Sequence, residues 1–376
     1  MGQPHTSQPV TPHRLGIVGL GVISAAYLDT LAGTDAVVVT AVADLDAERA
    51  RSVAAGLPAA RAMTVAELLA SDDVDTVLNL TTPAAHAEIA LAAISAGKQV
   101  YGEKPLAVTL AEGRSILAAA SHAASTVGSA PDTVLGTGIQ TARAAIDDGL
   151  IGRPVAASAV MNSGGHESWH PNPDFYYREG GGPLFDMGPY YITALIHLLG
   201  PVRRVTGASS RPHENRTIRS GPRAGESVPV SVDTHVTGVL EHVDGALSTI
   251  TMSFDSAATL ASPLEVHGAA GTLAIGDPNT FDGPVSVRRA GDGGFHLLDP
   301  LGGYVDAARG IGLLDQILAP GHTPPRANGA LALHVLDVME SLQRSATEGR
   351  RIDLTTDAER PAPVPLTPRA EWLRRG

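Results

Sequence analysis

Near its start the chain runs from a short apolar stretch, Leu15 to Val18, directly into Gly19-Leu20-Gly21-Val22-Ile23-Ser24. This is the pattern G-x-G-x-x-G/A with Ser24 in the last place. A strand that ends on glycine and reopens as a helix brings backbone N–H groups close to a pyrophosphate. The glycines allow the tight turn, and the helix N-terminus adds partial positive charge. The pattern carries weight only in a strand–turn–helix setting, and the sequence around it supplies that setting. Further β-rich runs at Ala36–Ala43, Thr76–Leu80 and Val100-Tyr101 alternate with Ala/Leu stretches of helical period at Ser24–Ala32, Ala47–Ala55, Ala84–Ala96 and Leu110–Ala124. Such alternation predicts a parallel sheet covered on both faces. Gly97-Lys98 sits where a helix should end before the next strand. Residues 14–145 therefore read as one doubly wound domain.

After residue 145 the rhythm changes. Val155–Met161, Val202–Ala208, Val230–Glu241, Ala246–Phe254, Leu264–His267, Thr272–Ile275 and Val285–Arg288 read as successive strands, with a hairpin turn clearest at His242-Val243-Asp244-Gly245. One helix, Gly182–Leu199, interrupts them. Ser209–Pro229 is polar and reads as a long loop, and Ala330–Ser345 is an amphipathic helix. The expected fold class is α/β: an N-terminal Rossmann doubly wound parallel sheet, then a C-terminal α+β domain over 146–350 with a large, mostly antiparallel open sheet that binds substrate and carries oligomer contacts. Residues 1–13 read as a disordered leader, and the Pro-rich 351–376 as a tail that wanders or drapes.

Composition removes several function classes. A net charge of -12 does not steer toward nucleic acid or anionic lipid. With no cysteine, the chain has no thiolate nucleophile and no Cys-ligated metal. The most apolar helical stretch, Ala84–Ala96, is broken by His86 and Glu88 and is too short to span a bilayer. A cytoplasmic setting is expected.

At the cofactor end, Gly19, Gly21, Val22 and Ile23 are the expected contacts. Asp44 ends the second strand, roughly 20 residues on, where a carboxylate can accept from ribose hydroxyls. It would repel a 2′-phosphate, and no arginine immediately follows it, so NAD is favoured over NADP. Its alternative role is to cap the helix starting near Ala47. Thr81, Thr82 and Pro83 follow the third strand and should line the crevice. His86, just beyond, suits either a cofactor contact or a structural place.

Two further segments complete a pattern: Gly97-Lys98-Gln99-Val100-Tyr101-Gly102-Glu103-Lys104-Pro105-Leu106, and Gly180-Gly181-Gly182-Pro183-Leu184-Phe185-Asp186-Met187-Gly188 running on to Leu198-Leu199-Gly200. Taken with the glycine turn and Thr81-Thr82-Pro83-Ala84-Ala85-His86, the chain resembles the glucose–fructose oxidoreductase / inositol dehydrogenase (Gfo/Idh/MocA) family over nearly its whole length except the ends. The resemblance implies an NAD-dependent oxidoreductase acting on a sugar, a glycoside or a polyol, and an antiparallel sheet that packs on a copy of itself as a homodimer or homotetramer. Glu103 and Lys104 match the family's E-K-P, whose lysine assists catalysis. Asp186 matches the aspartate of its D-x-G motif. Most members have histidine four residues later and often aspartate three after that; this chain has Tyr190 and Thr193. A phenol beside an ammonium can have a lowered pKa and exchange a proton with a substrate hydroxyl, so Tyr190 or Lys104 is the expected proton acceptor. Pro189 between Asp186 and Tyr190 leaves a kink or restart open.

His166-Glu167-Ser168-Trp169-His170 spells H-E-x-x-H, the zinc-protease signature. That chemistry needs both histidines on one helix face. Gly164-Gly165 before and Pro171 and Pro173 after oppose a regular helix, so no metal is expected. The segment reads as a substrate loop in which His166, Trp169, His170 and Tyr176 offer flat faces and hydrogen-bonding heads to a sugar, or else as a surface loop with aromatic anchors. His334, on the last helix, suits a substrate contact or a core place. Two other functions stay open: redox-neutral glycoside cleavage, with transient oxidation at C3 and His166 or His170 as base, and a regulator that binds NAD and sugar without turnover.

Overall fold

The computed structural model describes residues 12–318 and 324–373; nearly all of the expected leader lies outside them. Six parallel strands, β1 (His13–Val18), β2 (Val37–Ala43), β3 (Arg61–Ala62), β4 (Thr76–Asn79), β5 (Gln99–Gly102) and β6 (Val127–Ser129), lie in the order β3-β2-β1-β4-β5-β6. Helices α1 (Val22–Leu31), α2 (Ala47–Ala55), α3 (Val65–Ala70), α4 (Pro83–Ser95) and α5 (Leu110–Ala123) connect them. The order reverses between β1 and β4, and ligands bind at such a reversal, outside the carboxyl ends of the strands. Capping residues fix the helix starts: Thr64 and Thr109 each form a capping box, with Glu67 and Glu112 respectively.

Helix α6 (Thr137–Asp147) leads out of this layer into a nine-stranded sheet. Its strands are β7 (Pro154–Asn162), β8 (Val202–Ser210), β11 (His235–His242), β12 (Leu247–Ser253), β13 (Leu264–Gly268), β14 (Gly271–Ile275), β15 (Val285–Arg289), β16 (His296–Leu297) and β17 (Ile352–Asp353). All neighbours pair antiparallel except β7 and β12. A separate hairpin, β9 (Asn215–Thr217) with β10 (Ser227–Pro229), occupies what reads in sequence as a long loop. The expected strand Val230–Glu241 starts only at His235, because the Val230 and Ser231 amides donate to Glu214 and Tyr177 carbonyls and leave the main sheet.

Helix α7 (Gly182–Leu199) is almost wholly buried and runs through Pro189 as one helix, so Asp186 and Tyr190 share a face. Helix α8 (Ile311–Leu318) was not legible as a separate element. Helix α9 (Gly329–Glu348) lies on β8, and Gly207 with its cross-strand partner Gly238 makes the flat patch beneath it. The chain then drapes back. Arg360 donates to the carbonyls of His197 and Leu198, Val364 N–H to Gln140, and the indole of Trp372, in α10 (Arg369–Trp372), to Val305. Among the described residues no helix is long and apolar enough to cross a membrane.

A Cβ on Gly207 would run into the Leu342 carbonyl oxygen of α9. Gly207→Ala should therefore lift the helix and lower stability by about 1–3 kcal/mol, read as an earlier urea midpoint. An unchanged midpoint would mean that the patch is loosely packed.

Candidate active site

The glycine turn is shaped by crowding on one side and openness on the other. Gly19 has φ +92°, and a Cβ there would meet the Leu80 carbonyl at 2.6 Å, so only glycine lets the first turn touch the β4 turn. A Cβ on Gly21 would meet nothing within 4 Å among the described residues, and Val22 is 98% exposed. Gly21 caps α1 with no side chain, which leaves the helix amides beside Val22 and Ile23 open to an anion. Asp44 is not the helix cap: Asp46 takes that place by accepting from the Glu48 and Arg49 amides. Asp44 accepts from Leu20 N–H at 2.7 Å inside the glycine turn, and Arg49 reaches back to within 3.3 Å of it. Burial opposes ionisation of Asp44, but the Asp46 and Leu20 amides and Arg49 hold its pKa below the usual range. Thr82 and Pro83 open α4 on the same crevice, Thr82 as a cap whose side chain makes no cap bond, while the Thr81 hydroxyl turns to Asn79.

His86 departs from the expected cofactor contact. It is 2% exposed, and both ring nitrogens face backbone carbonyls, Pro105 at 2.7 Å and Thr81 at 3.1 Å. It is a strut between the β4 and β5 loops, and burial lowers its pKa. Glu103 is held by the Tyr27 hydroxyl at 2.8 Å and by Lys104 N–H at 3.1 Å. This fixes the loop from which Lys104 projects.

Lys104 Nζ donates to Asp186 Oδ1 at 2.9 Å and to the Asp186 carbonyl at 2.6 Å. His166 Nε2 lies 2.9 Å from the other carboxylate oxygen, Oδ2. One carboxylate on α7 thus joins the loop after β5 to the loop after β7. Burial opposes the Asp186 charge, but Lys104 and the His166 hydrogen bond outweigh it and hold the group at about 2. Burial likewise works against the Lys104 ammonium, and Asp186 outweighs it, leaving the pKa above the usual lysine range. The expected low pKa of Tyr190 is not found. Burial raises it despite two cations, Lys104 and Arg309, each 5.2 Å from the ring centre. Arg309 also donates to the Tyr190 hydroxyl at 3.1 Å and to Asn279 at 2.9 Å. Sequence reasoning missed Arg309, which sits in a Gly/Ala-rich loop that carries no motif.

The H-E-x-x-H segment forms only a 3-10 turn, His166–Ser168. Glu167 turns inward to the Tyr177 hydroxyl, to Arg216 at 3.1 Å and to Arg219 at 3.3 Å, and Arg216 also pairs with Asp255. His170 Nδ1 accepts from Asn172 N–H. Among the described residues no three His, Asp or Glu side chains converge on a metal position. The His166 ring is boxed by Tyr176, Phe254 and Trp169 at centroid distances of 4.0, 4.5 and 5.2 Å, and Trp169 is 59% exposed at the rim. His334 does not reach this site. Its Nε2 accepts from Val202 N–H and its Nδ1 faces the Thr356 hydroxyl, so it fastens α9 to β8 and to the tail.

The model for the GFO/IDH/MocA C-terminal domain matches residues 139–274, and that for the NAD-binding Rossmann fold of the oxidoreductase family matches residues 13–130. The chain is 27% identical over 351 residues to 1,5-anhydro-D-fructose reductase of Ensifer adhaerens, covering 92% of this chain and 99% of that protein. It is 26% identical over 364 residues to D-apiose dehydrogenase of Paraburkholderia graminis, covering 95% and 94%. An NAD binding oxidoreductase from Klebsiella pneumoniae superposes with TM-score 0.81 at 25% identity, covering 93% of this chain and 100% of that one.

Asp132 lies beneath the site with 0% exposure and accepts from the Gly310 and Gly312 amides. Burial lifts its pKa from 3.8 to about 6. A folded-state pKa raised in a carboxyl means that the neutral form favours folding. Its contribution is full below pH 3.8 and is lost as pH rises through about 6. Asp132→Asn should thus match the wild type near pH 4 and exceed it at pH 7 by on the order of 2–3 kcal/mol. Denaturant titrations at the two pH values test this; equal stabilities at pH 7 would refute it.

Proposed function

The chain belongs to the GFO/IDH/MocA family of NAD-binding oxidoreductases, and from that premise we propose that it transfers hydride between NAD and a secondary hydroxyl or keto group of a sugar, a glycoside or a polyol. The observation that carries this reading is the Lys104–Asp186 pair, set between the open glycine turn and the aromatic rim of the His166 loop. The bare amides after Gly21, the Asp44 carboxylate and Thr82 suit a dinucleotide. NAD, when bound, supplies the hydride acceptor or donor; the chain supplies position and electrostatics.

Lys104 holds the reacting oxygen by an N–H donor and stabilises negative charge developing on it. Asp186 fixes Lys104 by accepting from it. Trp169 and Tyr176 present flat faces to sugar C–H groups, and His170 a polar edge at the rim. Tyr190, pinned by Arg309, offers its hydroxyl as a second donor. The intact Lys104–Asp186 pair favours turnover over ligand sensing. His166 beside Asp186 also suits a second reading, redox-neutral cleavage of a glycoside, in which an imidazole removes the acidified proton beside a transient ketone.

The setting we propose is cytoplasmic, where NAD is supplied. The assembly is a homodimer or homotetramer through the outer face of the large sheet, on which Leu247 is 49% and Val239 37% exposed on neighbouring strands. Leu247→Glu should shift the mass measured by light scattering toward the monomer; an unchanged mass would move the interface elsewhere.

With saturating NAD and a panel of polyols, free sugars and aryl glycosides, the wild type should generate NADH with at least one substrate class. Lys104→Ala should lose about 10²–10³-fold in kcat. NAD-requiring aryl release without NADH would select the cleavage reading instead.

A further inference from the structure

We infer that the β9–β10 hairpin is a brace for the substrate loop, and that Arg223 is the positioning residue through which it sets the binding of the sugar. The inference deepens the hydride-transfer reading above and rests on it for the class of substrate.

The segment between β7 and α7, residues 163–181, has little structure of its own to hold it. Its backbone forms two 3-10 turns, His166–Ser168 and Pro173–Tyr177, and contributes no strand to either large sheet. It nevertheless carries Trp169 and Tyr176, the flat faces at the rim. Such rings bind a sugar well only when they are already in place, because loop and side-chain freedom lost on binding is subtracted from affinity. One hold is His166 on Asp186.

The other is the hairpin, whose arginines reach the loop in turn. Arg216 donates to Glu167 Oε1 at 3.1 Å and to the Gly164 carbonyl at 3.4 Å, and it also ties to the Phe254 carbonyl at 3.1 Å and to Asp255. Arg219 N–H donates to the Glu167 carbonyl at 2.8 Å, and its guanidinium to the Glu167 carboxylate at 3.3 Å. These bonds fix the first turn. Arg223 fixes the second. Its Nη1 and Nη2 donate to the two Asp174 oxygens at 2.6 and 3.2 Å, Nη1 reaches Asn172 Oδ1 at 3.4 Å, and Nε is set by Glu226 at 2.8 Å. A two-pronged arginine–carboxylate pair fixes direction as well as distance. Packing supports it: a Cβ on Gly221 would meet Pro171 at 2.8 Å, so the hairpin's turn abuts the chain between Trp169 and Tyr176.

Burial separates the arginines. Arg216 and Glu167 are buried, and loss of either would leave an uncompensated buried charge. The Arg223 and Asp174 side chains are 30% and 23% exposed, so this pair can be opened without that cost. Lys104 and Asp186 keep their own contacts when it opens. Arg223 therefore bears on how firmly the rings are presented to the sugar, and not on the reacting atoms.

A double-mutant cycle on this pair tests the inference, with saturating NAD and a neutral sugar that the wild type turns over. Arg223→Ala and Asp174→Asn should each raise KM about 3–10-fold, keep kcat within about twofold, and leave NADH binding by fluorescence unchanged. The double variant should go no further than either single one. Because the pair is partly exposed, the wild-type KM for that uncharged sugar should climb with salt, and the variants should lose this dependence. A merely structural role would not move the salt dependence. Unchanged KM in both single variants, or a double variant whose effect is the product of the two, overturns the inference. Trp169 reads the brace without turnover. The chain has two tryptophans, so Trp372→Phe leaves Trp169 alone. Adding Arg223→Ala to that background should enlarge the fast component of its fluorescence anisotropy decay, and an unaltered decay overturns the brace. A wild type that turns over nothing in the panel overturns the hydride-transfer reading instead, and the anisotropy result still decides whether the hairpin holds the loop.

Discussion

Asp186 is where the two halves of the molecule meet in chemical terms. Its carboxylate sits on a buried helix, and its two oxygens are taken by a lysine from the loop after β5 of one sheet and a histidine from the loop after β7 of the other. Removing one member of a buried ion pair leaves an uncompensated charge and typically costs about 3–5 kcal/mol. The three side chains thus hold one another in register. The conditions that keep Asp186 ionised also keep Lys104 cationic and orient the His166 ring. The Lys104 loop and the aromatic rim are positioned relative to one another through this single carboxylate.

The shell around the carboxylate shows how such an arrangement is supported. Glu103 is tied to Tyr27 of α1, His86 braces the neighbouring loop, and Glu167 with Arg216 and Asp255 forms a buried charged knot under the His166 turn. Loops carry function when a rigid scaffold fixes them. Here the fixing is done mainly by side chains on backbone carbonyls and by ion pairs, because a chain with 4% aromatic residues has few large rings for anchoring.

Much of this was legible in the sequence because it depends on local pattern. The glycine turn, the strand–helix alternation and helix Gly182–Leu199 follow from spacing, and Lys104 and Asp186 from motif. What was not legible depends on distant pairing. Nothing local says that His166 should meet Asp186, since the loop between them is irregular. The surface spelling H-E-x-x-H points to metal, whereas its Glu167 is committed to two arginines far along the chain. His86 and His334, which the sequence leaves open between a ligand contact and a structural place, are buried hydrogen-bonding pins. Tyr190 was expected to be acidic from its charged neighbours alone; burial, which the sequence does not quantify, dominates instead. Strand Val230–Glu241 was read too long because its apolar alternation continues across residues whose amides bond elsewhere.

The draped tail has a mechanical consequence. It leaves the edge of the large sheet at β17, crosses the end of α7 through Arg360, and closes against the Rossmann side, where Leu373 accepts from the Thr34 hydroxyl. A strap fastened at both ends resists the opening of a hinge between the bodies it joins. The spacing of the two sheets across the site is then held by the tail as well as by the Lys104–Asp186 pair.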